Sequence, residues 1–373
     1  MYERKNYLEQ LQKFADENSL KIISGVSGCG KSELVKEIRD TLKEQNKHVH
    51  YFDFEITSWD KISEYFSYII ELKGQEIYYV IIDNFNPTFA WEKTIISLLE
   101  NNVSVFITTS NYSVYSKFIK DEKDTSKYRI IKVRTFSYNE MSEYAKSRDI
   151  DYDVYEYIKF GGFPDLLDCK SDVERRKKLS ERLNRITSEI IARYNIRKSR
   201  LFNAFTRMVV CNESPLMPFL AMAKRLSETE KCSANTLTQW MVYLKEAFLV
   251  ETVARFSEKD RDKDNRLKKL KSKRYYICDH AFRVLGTDAD ELIEQNYETA
   301  FYKCISSFGG CLFSEYRKNA YKIHFYLPYI DQYYFSCMLD YDNYDTIKIT
   351  HAYKSQDKYK EEQLSLESFF RLS

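Results

Sequence analysis

The chain has 373 residues, enough for two or three domains of roughly 150 residues, and 43% of them are hydrophobic, which excludes a mainly disordered protein. Its 58 Lys and Arg nearly balance 56 Asp and Glu, so no overall electric field attracts nucleic acid or an anionic membrane. Only nine residues are glycine, yet three of them fall within Gly25–Gly30, and that cluster needs a local reason.

The cysteines and the N-terminus indicate where the protein resides. The eight cysteines form no C-x-x-C pair, so zinc-binding and redox spacings are absent from the sequence. The N-terminal charges are not followed by an apolar segment, and no apolar run approaches roughly 18 residues. We therefore expect a soluble, cytoplasmic protein with no membrane partner.

The first 150 residues alternate between strand and helix patterns. An amphipathic helix is predicted over residues 5–16. Apolar runs then predict five strands, at 21–24, 48–54, 78–83, 103–109 and 129–133. Helical patterns lie between them at 33–45, 59–72 and 91–101. Apolar strands separated by helices indicate the α/β class, with a parallel sheet covered on both faces.

Beyond Phe136 the pattern is mainly helical, with helices predicted at 139–147, 154–160 and 173–193. A helical cluster over 201–248 leads into a strand pair at 248–256 and 274–279. Helices followed by a β-hairpin predict a winged helix, with Ser233–Leu244 as its recognition helix. From residue 288 onwards, a helix, four strands and a short final helix predict a small α/β module.

The glycine cluster belongs to a phosphate-binding pattern. Residues 25–32 read GVSGCGKS, which matches G-x-x-x-x-G-K-[ST] between a predicted strand and a predicted helix. In such a P-loop the backbone N–H groups surround phosphates, the lysine reaches the β- and γ-phosphates, and the final hydroxyl can bind Mg²⁺. The candidate cofactor-binding residues are Gly25, Ser27, Gly28, Cys29, Gly30, Lys31, Ser32 and Glu33.

Polar residues near strand ends extend the candidate site. Asp83 ends the strand 78–83, where its carboxylate can bind Mg²⁺ together with Ser32. Asn84 follows where hydrolysis normally needs a carboxylate, and its amide can orient water but cannot accept the proton, so slow or absent turnover is one expectation. The polar group Thr108–Asn111, which includes Ser110, lies where a γ-phosphate sensor would be, unless it is an ordinary polar strand end. Arg129 could reach a phosphate in its own or a neighbouring subunit, or be a surface arginine.

Together these motifs resemble one family over nearly the whole chain, the prokaryotic AAA-type ATPases with a winged-helix segment and a C-terminal nuclease-like domain. The motifs that carry the resemblance are collinear: GVSGCGKSEL (25–34), VIIDNFN (80–86), FITTSNYSVYS (106–116), YRIIKVRTFSYNEMSEY (128–144), YIKFGGFP (157–164), YLKEAFLVE (243–251) and KRYYICDHAF (273–282). The resemblance implies ATP as the nucleotide. It also divides the chain into a P-loop α/β domain (1–150), a helical lid (151–200), a winged helix (201–283) and a restriction-endonuclease-like α/β domain (284–373).

The resemblance also assigns roles outside the P-loop. It implies that Phe163 and Pro164, in the GGFP turn of the lid, contact the adenine base. Without it, GGFP is simply a helix-terminating turn. The nuclease-like family pattern E-V-K aligns with Ala352-Tyr353-Lys354, and Ala352 offers no oxygen to a metal. Asp331, Lys354 and Glu298 could remain from such a site, but nuclease activity is not expected.

Two basic segments suggest further partners. Arg261–Arg274 holds eight Lys or Arg and two Asp, a local charge of +6 at the predicted wing. Such a wing fits phosphate-backbone contact, with Ser233–Leu244 reaching base edges, although a solvated hairpin tip and ordinary helix-start residues explain both segments equally. The basic stretch 173–200 has apolar positions at helical spacing, so packing is its default explanation.

The leading hypothesis is a nucleotide-dependent switch, in which bound ATP and Mg²⁺ reposition the winged helix and the C-terminal module toward an unidentified protein partner. One alternative is an active ATPase in which a group from elsewhere compensates for Asn84. Another is a nucleic-acid-binding module with a relic P-loop. A fourth hypothesis is a P-loop kinase. Kinases commonly carry an arginine-rich lid where this chain has the GGFP turn, so the turn disfavours this hypothesis.

Overall fold

The computed structural model describes most of the chain, and all statements about the structure concern these residues. They are 2–72, 77–86, 91–121, 124–211, 219–228, 230–261, 267–286, 293–309, 311–316, 322–327, 332–337, 348–355 and 358–373. The contacts divide the chain into two units. The first comprises 1–135 with 246–248, and the second comprises 136–245 with 249–373. The predicted division into four segments stays a prediction.

The first unit alternates strands and helices as the sequence predicts. Its elements are α1 (Lys5–Lys13), β1 (Leu20–Ser24), α2 (Lys31–Glu44), β2 (His48–Asp53), α3 (Trp59–Leu72), β3 (Tyr78–Asp83), α4 (Glu92–Glu100), β4 (Val103–Thr109), α5 (Tyr112–Asp121) and β5 (Tyr128–Lys132). The strands form one parallel sheet in the order β2-β3-β4-β1-β5. This unit is a P-loop α/β domain, and a largely helical region follows it.

Both faces of this sheet are covered, which explains why its central strands read as continuous apolar runs. All residues of β1 and β4 are buried. On one face, Ile82 and Ile107 pack in a cluster with Phe66 of α3 and Leu98 of α4. On the other face, α2 lies against the sheet and buries Ile38. Each such buried side chain contributes about 1.5–3 kcal/mol.

The strand order brings the functional ends together. In a parallel sheet all strands end at one edge, so the loop after β1 lies at the same edge as the ends of β2, β3 and β4. Because β4 lies between β1 and β3, side chains from β3 must reach past one strand, about 4.8 Å wide, to meet the loop.

The second unit begins with helices. Its elements are α6 (Tyr138–Lys146), α7 (Val154–Phe160), α8 (Asp172–Tyr194), α9 (Ser199–Val210), α10 (Phe219–Leu226), α11 (Ala234–Glu246), β6 (Val250–Arg261), β7 (Leu267–Ile277), α12 (Ile293–Ser307), β8 (Leu312–Tyr316), β9 (Lys322–Leu327), β10 (Gln332–Cys337), β11 (Lys348–Ser355), β12 (Lys358–Leu364) and α13 (Leu366–Phe370). The antiparallel β6–β7 pair follows three helices, α9 to α11, and the predicted winged helix stays a prediction.

The later strands form a second sheet in the order β12-β11-β10-β9-β8-β6-β7. Strands β8 to β12 pair antiparallel with their chain neighbours, and β8 joins the hairpin through a parallel bridge between Arg255 and Phe313. The predicted boundary between 283 and 284 therefore falls between strands of one hydrogen-bonded sheet.

Most predicted elements have the observed type, with ends displaced by a few residues. The sequence patterns predict neither α5, which follows β4, nor β12, the polar strand before the last helix. The observed β6 continues past the predicted end at residue 256 to Arg261, and β7 begins at Leu267 instead of residue 274. Among the described residues, none of the helices combines the length and the apolar character needed to span a membrane.

His280 is the basis of a pH prediction. Its side chain is fully buried, and Nε2–H donates a hydrogen bond to the Tyr157 carbonyl oxygen at 2.7 Å. Burial lowers the pKa of His280 from 6.5 to about 4. Between these values the unfolded chain binds a proton that the folded chain does not, so stability is lost as the pH falls from 6.5 to 4.

We expect His280→Gln to lose less stability than the parent protein between pH 7 and pH 4, by about 3 kcal/mol, because glutamine carries no titrating ring. Urea unfolding at both pH values measures this difference. His48→Gln, at an exposed histidine, is the control and should behave as the parent does. Equal pH dependence of the His280→Gln variant and the parent would contradict the assignment.

Candidate nucleotide-binding site

The loop between β1 and α2 has the backbone of a phosphate-binding loop. Gly28 and Gly30 have φ angles of 82° and 95°, in the left-handed region that glycine adopts without steric cost. A β-carbon on Gly25 would overlap the Val133 carbonyl oxygen. The glycines of the motif are therefore required by backbone conformation and by close packing.

Lys31 opens α2 and lies in this loop. Its side chain is 7% exposed, and Nζ donates to the carbonyl oxygens of Gly25 and Val26 at 2.9 Å each. Because α2 begins at Lys31, the positive end of the helix dipole and the ammonium lie in the same place. This combination favours an anion.

Arg4 fastens the loop from the N-terminal side, a contact that the sequence reading missed. Its guanidinium is buried and donates from Nη1 to the carbonyl oxygens of Cys29 (3.1 Å) and Arg134 (2.9 Å). The Cys29 thiol is also buried, 3.4 Å from the Val133 carbonyl oxygen. Cys29 therefore helps to hold the loop against the end of β5.

Asp83 is buried at the end of β3 and accepts hydrogen bonds at both carboxylate oxygens. Ser32 Oγ and Thr108 Oγ1 donate to Oδ1, the former at 3.0 Å, and the Tyr51 hydroxyl donates to Oδ2 at 2.8 Å. The structure thus brings together the predicted metal ligands Ser32 and Asp83. A hydroxyl and a carboxylate are hard oxygen ligands, and they fit Mg²⁺.

Tyr51 and Thr108 belong to this cluster. The sequence predicts no role for Tyr51, and it places Thr108 only in the polar group of the predicted phosphate sensor. Burial, followed by the hydrogen bond to Asp83, raises the pKa of Tyr51, so the phenol remains a donor. Tyr51 lies on β2, the strand beside β3. Only the strand pairing reveals this contact, since more than thirty residues separate Tyr51 from Asp83 in the chain.

Asn84 adopts a left-handed backbone conformation with a φ of 56°, which asparagine tolerates better than most residues. Its backbone N–H donates to Asp83 Oδ1 at 3.0 Å and to Thr108 Oγ1 at 2.8 Å. Its side-chain Nδ2 donates to Asp53 Oδ1 at 3.2 Å. The amide therefore faces a carboxylate that the sequence reading did not consider.

The polar end of β4 is ordered by its own hydrogen bonds. Ser110 follows the strand and is half-buried, and its role as a phosphate sensor stays a prediction. Asn111 is 4% exposed, and its Nδ2 donates to Asn86 Oδ1 at 3.2 Å. Its Oδ1 accepts from the Ser113 hydroxyl at 2.7 Å. Asn111 is thus another polar group held at this edge of the sheet.

Arg129 lies near the start of β5, at the end of the sheet opposite the loop 25–32. It pairs in register with Lys21, four residues before Gly25 along β1, so about 13 Å of strand separates it from the loop. Its guanidinium binds the Glu17 carboxylate at 2.8 Å and the Thr125 carbonyl oxygen at 3.0 Å. The prediction that Arg129 reaches a phosphate of its own chain is therefore wrong. Contact with a neighbouring subunit stays a prediction.

The GGFP turn lies in the second unit. Phe163 is fully buried, with its ring 5.4 Å from that of Phe282 and the Arg182 guanidinium 4.0 Å above it. Pro164 is half-buried and opens a 3₁₀ turn, Pro164–Asp168. The proposed base contacts of Phe163 and Pro164 stay predictions, and the Phe163 ring already packs within its own unit.

The glycines before Phe163 have a packing role of their own. Asp279 is fully buried, and its carboxylate accepts from the backbone N–H of Gly162 at 3.0 Å and from Lys303 Nζ at 2.8 Å. A β-carbon on Gly161 would overlap Asp279, and one on Gly162 would overlap the Phe136 carbonyl oxygen. The pair of glycines therefore makes room for a buried ion pair.

The remaining predicted residues are engaged elsewhere or lie outside the described residues. Glu298 accepts from the Tyr276 hydroxyl at 2.8 Å and pairs with Arg274. Asp331 and residues 262–266 of the basic wing lie outside the described residues, as do the side chains of 256–272 and Lys354. Within the described part of the chain, no group of three or more His, Cys, Asp or Glu could hold a metal ion.

Two family profiles match parts of the chain. Residues 17–142 match an AAA domain, and residues 151–291 match a domain of unknown function, DUF8612. The first match covers the P-loop sheet, and the second covers most of the helical region and the β6–β7 pair. The C-terminal nuclease-like domain is not supported by these matches.

Curated relatives and solved structures are also similar to the chain. An uncharacterized protein of Haemophilus influenzae is 27% identical over 67% of this chain and 66% of its own length. Protein MJ1544 of Methanocaldococcus jannaschii, also uncharacterized, is 21% identical over 65% of this chain and 58% of its own. The matched segments thus span about two thirds or less of these relatives.

Among solved structures, AMPPCP-bound DnaA from Aquifex aeolicus is similar at 13% identity and a TM-score of 0.32, over 65% of this chain and 86% of its own. Cdc6p from Pyrobaculum aerophilum is similar at 12% identity and a TM-score of 0.32, over 78% of this chain and 94% of its own. Scores of this size support no statement about function. Residues 17–142 thus match an AAA domain, and the same residues have the parallel five-stranded sheet of a P-loop α/β domain.

We expect Arg4→Met to lower the free energy of unfolding by about 2–3 kcal/mol, because it removes the charged donor from the buried Cys29 carbonyl oxygen and the part-buried Arg134 carbonyl oxygen. Chemical denaturation with a probe of the first unit measures the change. Lys5→Met, at the exposed neighbouring residue, should cost less than about 0.5 kcal/mol. Equal stability of the two variants would show that Arg4 does not anchor the loop.

Proposed function

We propose that the protein binds ATP with Mg²⁺ in the loop 25–32 and uses the bound state as a switch on its second unit. The observation that carries this proposal is the hydrogen bond between Ser32 and Asp83, beside the buried ammonium of Lys31. A P-loop lysine, a helix N-terminus and a metal-binding pair thus meet at one edge of a parallel sheet.

The chemistry of the loop supports a phosphate ligand. Backbone N–H groups of residues 28–32 and the positive end of α2 would donate to the phosphate oxygens. Lys31 Nζ uses two of its three protons on loop carbonyls and retains a third for the β- and γ-phosphates. Glu33 lies one residue beyond Ser32, in the first turn of α2.

Mg²⁺ would be held by Ser32 Oγ and by Asp83, directly or through water. When bound, the ion neutralises charge on the phosphates. The hydrogen bonds from Tyr51 and Thr108 orient the Asp83 carboxylate for this role. The AAA resemblance is the only support for ATP as the nucleotide, since the proposal uses no contact with the adenine base.

The switch is supported by how the second unit begins. Phe136 follows the last residue of the first unit, and its N–H donates to the Gly162 carbonyl oxygen at 2.8 Å. Its own carbonyl oxygen accepts from Lys303 Nζ at 2.9 Å, and Lys303 pairs with Asp279. A displacement of Phe136 by the nucleotide domain would therefore act on a buried ion pair close to the β6–β7 hairpin.

We expect Lys31→Ala to abolish measurable binding of ATP·Mg²⁺, because the loop loses its phosphate-facing ammonium. Isothermal titration calorimetry on the full chain measures this. Lys36→Ala is the matched control, since Lys36 lies on the same helix and its exposed side chain pairs with Glu33 at the surface. Absence of binding by the parent protein, or retention of parental affinity by Lys31→Ala, would exclude this function.

A second candidate function is nucleic-acid contact through α11 and the basic wing, Arg261–Arg274. The observation that favours it is the outer face of α11, where Asn235, Thr238 and Gln239 are exposed at helical spacing. The bases of the nucleic acid would contact these polar side chains, and the basic wing would neutralise its phosphates.

If this is correct, replacing Lys268, Lys269, Lys271 and Lys273 with alanine should weaken DNA binding. It should also flatten its salt dependence, by about 0.9 in the slope of log K against log salt for each phosphate that the variant no longer neutralises. Fluorescence anisotropy with a labelled duplex at several salt concentrations measures both. A variant carrying alanine at Arg175, Arg176, Lys177 and Lys178 of α8 is the control. An unchanged slope in the wing variant would exclude the wing as a DNA-binding surface.

A further inference from the structure

The carboxylate beside Asn84 points to a catalytic role. We propose that Asp53 is the general base for ATP hydrolysis at this site and supplies the carboxylate that position 84 lacks. The inference rests on the proposed binding of ATP in the loop 25–32. It goes further in naming the reaction and the residue that accepts the proton.

Strand pairing places Asp53 at the functional edge of the sheet. It is the last residue of β2 and pairs in register with Asp83, the last residue of β3. Neighbouring strands lie about 4.8 Å apart, so the two backbones end side by side at the edge where the loop after β1 lies. Asp53 is therefore one strand further from the P-loop than Asp83.

Hydrogen bonds orient the Asp53 carboxylate. Its Oδ1 accepts from the backbone N–H of Glu55 at 3.0 Å and from Asn84 Nδ2 at 3.2 Å. Within the described part of the chain, its Oδ2 has no hydrogen-bond partner. The residue is half-buried, so solvent reaches it. One oxygen is thus fixed by two donors, and the other remains available to a water molecule.

Asp83 is a poor alternative base. Its Oδ1 accepts from Ser32, Thr108 and the Asn84 backbone, and its Oδ2 accepts from Tyr51. These bonds engage both oxygens of a carboxylate that is already the proposed ligand of Mg²⁺. The carboxylate that can accept a proton next to Asn84 is therefore that of Asp53.

The conformation of Asn84 explains why the base is on another strand. A side chain at φ 56° is costly for most residues, including glutamate, and asparagine carries the smallest penalty after glycine. Asn84 cannot accept the proton, but its Nδ2 holds Asp53 in place. We therefore assign Asn84 as a positioning residue and Asp53 as the catalytic residue.

The step balances as follows. The oxygen of a water molecule forms a bond to the γ-phosphorus of ATP while one of its protons passes to Asp53 Oδ2. The bond from the γ-phosphorus to the β–γ bridging oxygen breaks, and ADP leaves with the electron pair. Inorganic phosphate is released, and Asp53 returns its proton to solvent. Lys31 would stabilise the charge that develops on the phosphate oxygens.

The test measures binding and turnover separately on the full chain with Mg²⁺. Calorimetry gives the affinity for ATP, and a phosphate-release assay gives kcat and KM. We expect Asp53→Asn to lower kcat by about 100-fold or more, the contribution of a general base, while the affinity for ATP is unchanged. Asp60→Asn, at an exposed carboxylate in the first turn of α3, is the control and should keep the parental kcat.

Conservative variants separate chemistry from packing. Asp53→Glu retains a carboxylate and should hydrolyse ATP faster than Asp53→Asn. Asn84→Ala should lower kcat without changing the affinity for ATP, because Asp53 loses a donor. Should Asp53→Asn fail to fold, Asp53→Ser removes the carboxylate with a smaller side chain and carries the same expectation.

The outcomes distinguish this proposal from the binding function. Parental kcat in a folded Asp53→Asn variant would overturn the role of Asp53 and leave ATP binding intact. A parent protein that binds ATP and releases no phosphate would also overturn the role of Asp53 and leave ATP binding intact. A parent protein that binds no ATP would overturn the binding function and the catalytic assignment together.

Discussion

The order of strands in the first sheet is the constraint on which the candidate site depends. Because β4 separates β1 from β3, Ser32 and Asp83 meet only if both strands end at the same level, and the register of the parallel pairs provides that level. The same register sets Asp53 beside Asp83. A one-residue slip of β3 would turn the Asp83 side chain to the other face of the sheet and break its hydrogen bonds to Ser32 and Tyr51.

The fold of the first unit could be read largely from the sequence, because its central strands are buried on both faces and are apolar without interruption. Helix α5 is not predicted because its sequence, YSVYSKFIKD, comes soon after a strand and mixes aromatic with polar residues. Strand β12 is not predicted because its sequence, KYKEEQL, is polar at nearly every position. Elements whose stability comes from pairing or from one packed face leave a weak pattern in the chain.

The candidate site was predictable where its residues are contiguous, as in the loop 25–32. Tyr51, Asp53 and Arg4 were missed because each reaches the site through strand pairing or through the packing of α1, which no local pattern encodes. Arg129 was assigned wrongly for a related reason. A strand has two ends, and a residue that opens β5 lies far from a loop that follows β1.

The buried pair of Asp279 and Lys303 constrains how this chain can diverge. Loss of either partner leaves a lone charge without solvent, at a cost of about 3–5 kcal/mol, whereas exchange of both for apolar residues of similar volume can be neutral. Drift at one position therefore requires drift at the other. Larger side chains in place of Gly161 or Gly162 would still meet atoms of Ala281 or Phe136 after the pair had gone, so the two glycines should persist in descendants in which the pair has been exchanged.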